Sequence, residues 1–262
     1  MILVCMLALV PFWLVDKKSI HIRSAIIIIS SLLVIAVISI ESLIVATLTM
    51  LLAMLMLKMQ LSFKFSRSIW FSALIFIPLF INSVNESFSG ITFETIGLSY
   101  YTLKLYSLLR DSNRLNEKPR INEVVLYIFF FPVFSIGPIE NFKSLNPKIL
   151  SVDFSFQEFW YGLIRVLIGV FKVVYLADGL LSPMIDQYSL NSINIVSAWL
   201  WTFFSFAYLY LNFSGFSDVA IGVSRLFGLN IRENFNHPYL AKNIQEFWQR
   251  WHISLGAWVS QY

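Results

Sequence analysis

Long apolar runs separated by short polar gaps dominate this chain. Residues 24–57 form an apolar run with one charge, Glu41, and with neither Gly nor Pro. This run is much longer than the about 20 residues with which a helix crosses the hydrocarbon core, so it predicts two short crossings. A charge is costly at mid-bilayer, which places the break between them at Ser39–Ser42. One tilted helix that buries Glu41 is the alternative.

The remaining apolar runs predict further helical spans. Basic residues follow the first run instead of preceding it, which is typical of an uncleaved span and not of a secretory signal peptide. The predicted spans and partial spans lie at residues 1–15, 69–84, 91–109, 157–176 and 195–211.

The polar gaps between the apolar runs fall into two groups, one with Lys and Arg and one without. Gaps that contain Lys and Arg are 16–23, 58–67, 110–120 and the segment from residue 225, whereas gaps that contain neither are 39–42, 82–89 and 178–194. Cytoplasmic loops carry the excess of Lys and Arg, and every gap follows this rule only when residues 124–139 enter the membrane and return on the same side.

The segment 124–139 therefore predicts a re-entrant loop. Pro132, Gly137 and Pro138 break a helix near its middle and end. Non-helical backbone at membrane depth exists only where protein or water covers it, so this loop is expected to line a cavity. A kinked ordinary helix is the alternative.

Composition supports the membrane interpretation. The chain is 58% hydrophobic and 13% charged, against roughly 45–50% and about 25% in soluble domains. These values exclude disorder and a single soluble core, and one cysteine excludes a disulfide framework. The net charge of +4 lies in the gaps between apolar runs, which favours membrane topology over nucleic-acid binding. The predicted fold class is all-α, a polytopic transmembrane helix bundle.

The segment Asn212–Gly222, NFSGFSDVAIG, directly follows an aromatic span. Gly215 and Gly222 are seven residues apart, so they share one helical face and permit close helix packing. Asp218 is a charged group near membrane depth, which indicates a functional site. The alternative is a helix end that emerges among the lipid headgroups, with Asp218 in water.

The segment Asn234–Trp258 predicts an amphipathic C-terminal helix. Asn243 with Glu246 three residues later resembles a capping box, and Glu246 pairs with Arg250 one turn on. His252 lies at the edge of the aromatic face, where a neutral imidazole can accept a proton from a hydroxyl. A structural histidine is the more common reading of such a position. The apolar face comprises Ile244, Phe247, Trp248, Trp251, Leu255 and Trp258.

Together, Asn212–Gly222 and ENFNHPYLAKNIQEFWQRWHISL (Glu233–Leu255) resemble the signature of membrane-bound O-acyltransferases. Within that family they resemble the branch of bacterial alginate O-acetyltransferases and the teichoic-acid D-alanyl transfer protein. The resemblance covers residues 97–262, whereas 1–94 adds generic spans to what is predicted as one membrane domain, 1–262. Three upstream stretches agree, GLSYYTL (Gly97–Leu103), FFPVFSIGPIENF (Phe130–Phe142) and GLIRVLIGVFKVVYLAD (Gly162–Asp178).

The resemblance implies a multi-pass enzyme of the bacterial plasma membrane with a central tunnel. Such enzymes move an acyl group, in this branch typically acetyl, from a thioester donor to hydroxyls of a cell-envelope polysaccharide or polymer. The co-substrate is acyl-CoA or an acyl carrier protein, with no bound cofactor or metal. The acceptor can be reached through a periplasmic or extracellular partner protein, and no nucleic acid is involved.

The resemblance also implies site residues. His252 matches the first of two family histidines and is the candidate catalytic residue, and Asp218 is kept as the later acid of its motif. Trp248, Trp251 and Arg250 are candidate donors to the substrate and its developing oxyanion.

Two departures from the family pattern are visible. Asn212 replaces an acid, and the second histidine is not among the three in this sequence. The chain is therefore expected to be truncated and inactive on its own. The alternative function is a non-catalytic membrane scaffold or partner protein. A transporter, suggested only by the re-entrant loop, is the least favoured.

Overall fold

The computed structural model describes residues 2–62, 97–111, 119–134, 136–142, 145, 151–188 and 194–262. Every regular element within these ranges is helical, which confirms the all-α fold class. The chain divides into two compact units. The first unit comprises residues 1–135, 139–154 and 257–262, and the second comprises 136–138 and 155–256. The interpretation of the chain as one domain stays a prediction.

Five α-helices lie wholly within the first unit among its described residues. Its second and third helices are separated at Ser39, whose backbone is extended with φ −159°. The Ser39 hydroxyl oxygen accepts the backbone N–H of Ser42 at 3.1 Å, which caps the start of the third helix. The predicted division of the long apolar run is thus confirmed. The helices are α1 (Ile2–Leu14), α2 (Ile20–Ile38), α3 (Ile40–Ser62), α4 (Leu98–Asp111) and α5 (Ile121–Phe129).

The segment after α5 leaves the helical path where the sequence predicts it. Helix α5 ends at Phe129, and Phe131–Val133 form a short 3-10 turn around Pro132. Lys104 in α4 donates from Nζ to the carbonyl oxygen of Val133 at 2.9 Å, which holds this turn against α4. The break is confirmed, whereas the return of residues 124–139 to the same side of a membrane stays a prediction.

The second unit begins with one continuous helix. Helix α6 (Phe156–Val170) passes into a π-helical segment, Phe171–Leu181, and then into α7 (Ser182–Gln187). Its first turn is capped by Ser155, whose hydroxyl accepts from the backbone N–H of Glu158. Single-turn π segments often mark functional sites, and this longer one contributes Lys172 to the site described below.

Helix α8 (Ile195–Leu226) packs along α6 and the π-helical segment. A Cβ atom added to Gly222 would lie 2.7 Å from the carbonyl oxygen of Gly162, and one added to Gly215 would lie 2.9 Å from that of Gly169. Only glycine permits this approach of the two backbones, so the predicted close helix packing of Gly215 and Gly222 is confirmed.

The predicted C-terminal helix is divided in the structure. Helix α9 (Ile244–Arg250) begins at Asn243, whose side chain accepts from the backbone N–H of Glu246 at 2.8 Å. It ends before Trp251, and a new helix, α10 (Ile253–Gln261), follows. The sequence pattern does not reveal this break, because the apolar residues keep helical spacing across it.

Three described helices have the length and apolar character to cross a membrane, Ile20–Ile38, Ile40–Lys58 and Ile195–Leu226. The last is longer than the predicted span 195–211 and carries the Asn212–Gly222 motif within the same helix. The predicted span 69–84 and most of the loop 110–120 lie outside the described residues.

Candidate active site

His252 lies at the break between α9 and α10. Its backbone has φ 46°, in the left-handed region that residues other than glycine rarely adopt. Such a conformation costs about 1 kcal/mol or more and persists only when neighbouring contacts fix it. The carbonyl oxygen of His252 accepts the backbone N–H groups of Leu255 and Gly256, which starts α10 directly after the turn.

Asn234 supplies the contacts that fix this turn. Its carbonyl oxygen accepts the backbone N–H of Ile253 at 2.9 Å, and its Oδ1 accepts the hydroxyl of Ser254 at 2.9 Å. Its Nδ2 donates to the hydroxyl oxygen of Ser217 in α8 at 3.2 Å. Asn234 is buried, so these bonds tie the residues after His252 to the motif helix.

The His252 side chain packs at the edge of an aromatic cluster. The imidazole meets the ring of Phe213 edge to face, with centroids 4.8 Å apart, and Phe213 packs in turn on Phe235. Phe235 also contacts Trp251. Burial lowers the pKa of His252 to about 4. The imidazole is therefore neutral at pH 7, which is the form that accepts a proton.

Asp218 lies inside α8 and is paired with two cations from the neighbouring helix. Its Oδ1 accepts from Arg165 Nε and its Oδ2 from Lys172 Nζ, both at 2.6 Å. Arg165 and Lys172 are seven residues apart and so present their side chains from one face of α6 and the π-helical segment. Arg165 also donates to the carboxylate of Glu233, at 3.1 Å from Nη1. Asp218 is only 5% exposed. This burial excludes the alternative in which its carboxylate lies in water at a helix end.

A cavity of about 240 Å³ opens beside these charges. Ser214 lines this cavity, and its hydroxyl oxygen is buried and has no hydrogen-bond partner among the described residues. His252 does not line this cavity, although its neighbour in space, Phe235, does. The lining residues are Arg165, Ile168, Lys172, Tyr210, Ser214, Ser217, Asp218, Ile221, Glu233, Asn234, Phe235 and His237.

The predicted site residues fall into separate places. His252 and Trp251 share the aromatic cluster, and Asp218 lines the cavity. Trp248 is 60% exposed and packs on Phe247. Arg250 pairs with Glu246, as the sequence predicts, and so points along α9. The roles of Trp248, Trp251 and Arg250 as donors to substrate stay predictions.

Sequence reasoning missed Arg165, Lys172, Glu233, Ser214 and Asn234 as site residues. Arg165 and Lys172 could have been found, because cations inside a predicted span are expensive and imply a partner there. The unpaired Ser214 hydroxyl and the Asn234 bonds depend on tertiary structure and leave no such signal. Within the described ranges, no group of three His, Cys, Asp or Glu side chains could hold a metal ion.

Comparison with known proteins now identifies the family. The model of MBOAT, the membrane-bound O-acyltransferase family, matches residues 12–262. The chain belongs to this family. The resemblance seen in the sequence is thereby confirmed, and the region that matches extends well before residue 97.

Curated relatives are named for transfer to alginate, to peptidoglycan and to teichoic acid. The chain is 35% identical over 170 residues to the "Probable alginate O-acetylase AlgI" of Pseudomonas aeruginosa, which covers 64% of this chain and 32% of the relative. It is 29% identical over 200 residues to the peptidoglycan O-acetyltransferase of Helicobacter pylori, and the match covers 64% of this chain and 37% of that relative. It is 29% identical over 178 residues to the teichoic acid D-alanyltransferase of Bacillus subtilis, and the match covers 64% of this chain and 44% of that relative. The match thus spans a third to under a half of these relatives' length.

Proposed function

We propose that this membrane-bound O-acyltransferase takes part in transferring an acyl group from a thioester donor to hydroxyl groups of a cell-envelope polymer. Family membership carries the proposal. The relatives named for O-acetylation of alginate and peptidoglycan and for D-alanylation of teichoic acid support this acceptor class. Acyl-CoA or an acyl carrier protein is the proposed donor.

In contrast to the expectation of an inactive chain, which stays an untested prediction, we propose His252 as the base. As the acceptor hydroxyl oxygen attacks the thioester carbonyl, its proton passes to the neutral imidazole, which the aromatic cluster keeps unprotonated at pH 7. The C–S bond then breaks, the imidazolium returns the proton to the departing thiolate, and the products are an ester and a thiol. General-base assistance of this kind contributes typically about 10²–10⁴-fold.

The proposed location is the bacterial plasma membrane, with several passes. Three long apolar helices support membrane insertion, and the clustering of Lys and Arg in alternate gaps supports the cytoplasmic side of residues from 225 onward. A partner protein on the outer side of the membrane is proposed to present the acceptor polymer.

The experiment measures O-acyl esters on envelope polymers of the cells that naturally make the protein. Three strains are compared with the parent: one with the gene deleted, one with His252→Ala and one with His21→Ala, the histidine control, because His21 is exposed and does not line the cavity. Immunoblots of the membrane fraction confirm equal amounts of the two variants. We expect deletion and His252→Ala to lower the ester content alike, and His21→Ala to leave it near that of the parent.

Two results would contradict the proposal. Unchanged ester content after deletion would remove this protein from envelope acylation. Loss of ester after deletion but not after His252→Ala would indicate the scaffold alternative, because the protein would then be required without its candidate base.

A further inference from the structure

Two backbone hydrogen bonds hold the chain on either side of His252. The N–H of Asn236 donates to the carbonyl oxygen of Arg250, and the N–H of Ile253 donates to that of Asn234, both at 2.9 Å. In a regular antiparallel pair the second donor would be residue 252. The chain therefore contains one extra residue at this point, as in a β-bulge, and bulges beside active sites re-aim a side chain.

The side chain of Asn234 fastens the end of this bulge to α8. Its Oδ1 accepts from the hydroxyl of Ser254 at 2.9 Å and from the backbone N–H of Ser254 at 3.3 Å. Its Nδ2 donates to the hydroxyl oxygen of Ser217 at 3.2 Å. A side-chain amide offers an acceptor with two lone pairs together with N–H donors, which neither a carboxylate nor an apolar side chain does. Asn234 is 1% exposed, so water does not replace these bonds.

Helix α8 also supplies the ring against which the imidazole packs. Phe213, which meets His252 edge to face, and Ser217 are four residues apart and so share one face of the helix. The same face thus anchors the turn and receives the imidazole. Without the anchor, residue 252 can leave the left-handed region for a less strained backbone conformation, which turns its side chain away from Phe213.

We propose that Asn234 is a positioning residue of the reaction, whose amide fixes the left-handed backbone at His252 and so aims the imidazole at its place beside Phe213. The proposal rests on the proposed function, because it takes His252 as the base. The placement of the ring is nevertheless measured without any acyl transfer, so the failure of one proposal is distinguishable from the failure of the other.

The protonation of the imidazole reports where the ring lies. Burial is what lowers the pKa of His252, so a ring that turns toward water should recover a pKa near the about 6.5 of an ordinary histidine. Charged side chains close in sequence to the residues around the ring have partners of their own: Asp218 and Glu233 pair with Arg165, and Arg250 pairs with Glu246.

The test titrates the full chain, purified in detergent and labelled with ¹⁵N-histidine, by NMR between about pH 8 and 4.5. The chain has three histidines, and the signal that is missing in His252→Phe belongs to His252. We expect this imidazole to stay largely neutral in the parent and to titrate near pH 6 in Asn234→Ala. Asn236→Ala is the matched control, because the Asn236 side chain is exposed and does not line the cavity. It should titrate as the parent does.

Ser254→Ala keeps the test valid if Asn234→Ala does not fold. This variant removes one of the bonds to Asn234 Oδ1 and leaves the backbone N–H bond in place. We expect the pKa of His252 to rise, by less than in Asn234→Ala. Ser224→Ala is the matched serine control, because Ser224 is buried in α8 and donates to the carbonyl oxygen of Ala220. It should leave the His252 signal unchanged.

Ester per folded molecule, measured in the cells that make the protein, connects the placement of the ring to the reaction. Asn234→Ala should lower it about tenfold or more, as for a misplaced catalytic group, and Asn236→Ala should leave it near that of the parent. A His252 titration that is unchanged in folded Asn234→Ala or Ser254→Ala would overturn the proposal, even if the thermal midpoint falls. A changed titration with unchanged ester per molecule would overturn it too, because the reaction would then not depend on the placement of the ring.

Discussion

Two lysines, one in each compact unit, lie inside predicted membrane spans and are held in opposite ways. Lys104 is fully buried, and its Nζ donates to the carbonyl oxygens of Tyr127 and Val133. Its bonds therefore join α4 to the backbone around the 3-10 turn. Lys172 keeps a quarter of its side chain exposed, pairs with Asp218, and lines a cavity.

The contrast separates a lysine that holds the fold from a lysine that lines the candidate site. Backbone carbonyls cannot move without moving the chain, so the fully buried Lys104 fixes the position of the 3-10 turn against α4. A carboxylate shared with Arg165 leaves Lys172 with donors still available at the cavity. A charge in an apolar span thus indicates function only when its partner and its surroundings leave room for a ligand.

The largest expected effect is that of Lys104→Met on stability. The variant keeps the length of the side chain but leaves the Tyr127 and Val133 carbonyls short of a buried donor, so we expect a loss of about 2–4 kcal/mol. Lys172→Met should cost about 1 kcal/mol, because Arg165 still pairs with Asp218. Thermal unfolding of the purified variants in detergent checks both, and equal losses would remove the distinction between the two lysines.

Gly215→Ala tests how closely the site helices must approach. Its Cβ would lie 2.7 Å from Val173 Cγ2 and 3.0 Å from Lys172 Cβ, so the π-helical segment must shift. We expect a loss of about 1–3 kcal/mol in unfolding free energy. Gly256→Ala is the matched control, because a Cβ there meets nothing within 4 Å. That variant should be neutral or gain up to about 1 kcal/mol. Similar midpoints for the two alanine variants would contradict the close packing.

A smaller effect is expected from acidification. The pKa of His252 is lowered to about 4 by burial, below the about 6.5 of an unfolded chain. The unfolded state therefore binds the proton more tightly, and the stabilising contribution is complete above about pH 6.5 and is lost as the pH falls toward 4. We expect a loss of about 1–2 kcal/mol between pH 7 and 4.5, reduced by the solvent contact that the ring retains.

His252→Phe provides the measurement for that pH effect. The variant should lose the part of the pH dependence that belongs to residue 252, whereas His237→Phe should retain it. The measurement is the thermal unfolding midpoint of each of the two variants as a function of pH between 7 and 4.5. Parallel pH curves for the two variants would show that His252 is not buried as a neutral base.

Much of the fold follows from sequence patterns. The break at Ser39, the helix end before Pro132 and the glycine packing of α8 each depend on one local cause that the sequence displays: an overlong apolar run, a missing N–H, or two small residues on one face. The division between α9 and α10 could not be predicted, because Asn234 fixes the turn at His252 through bonds from a distant part of the chain.

The site was predicted less completely than the fold. Asp218 and His252 were identified by motif, but the partners that define their chemistry come from other elements. Arg165 and Lys172 reach Asp218 only because α6 packs against α8. The low pKa of His252 arises from the burial of its ring, which the sequence around it does not specify.

The most direct test compares O-acyl ester per folded molecule for Lys104→Met and Asp218→Asn in the cells that make the protein. Ester content is divided by the amount of folded protein in the membrane fraction. We predict that Lys104→Met lowers the amount of protein but leaves ester per molecule near that of the parent. Asp218→Asn should lower ester per molecule at least about tenfold, because loss of positioning in a reaction site commonly costs about that much or more. Unchanged ester per molecule in Asp218→Asn, with a loss in Lys104→Met, would contradict the account.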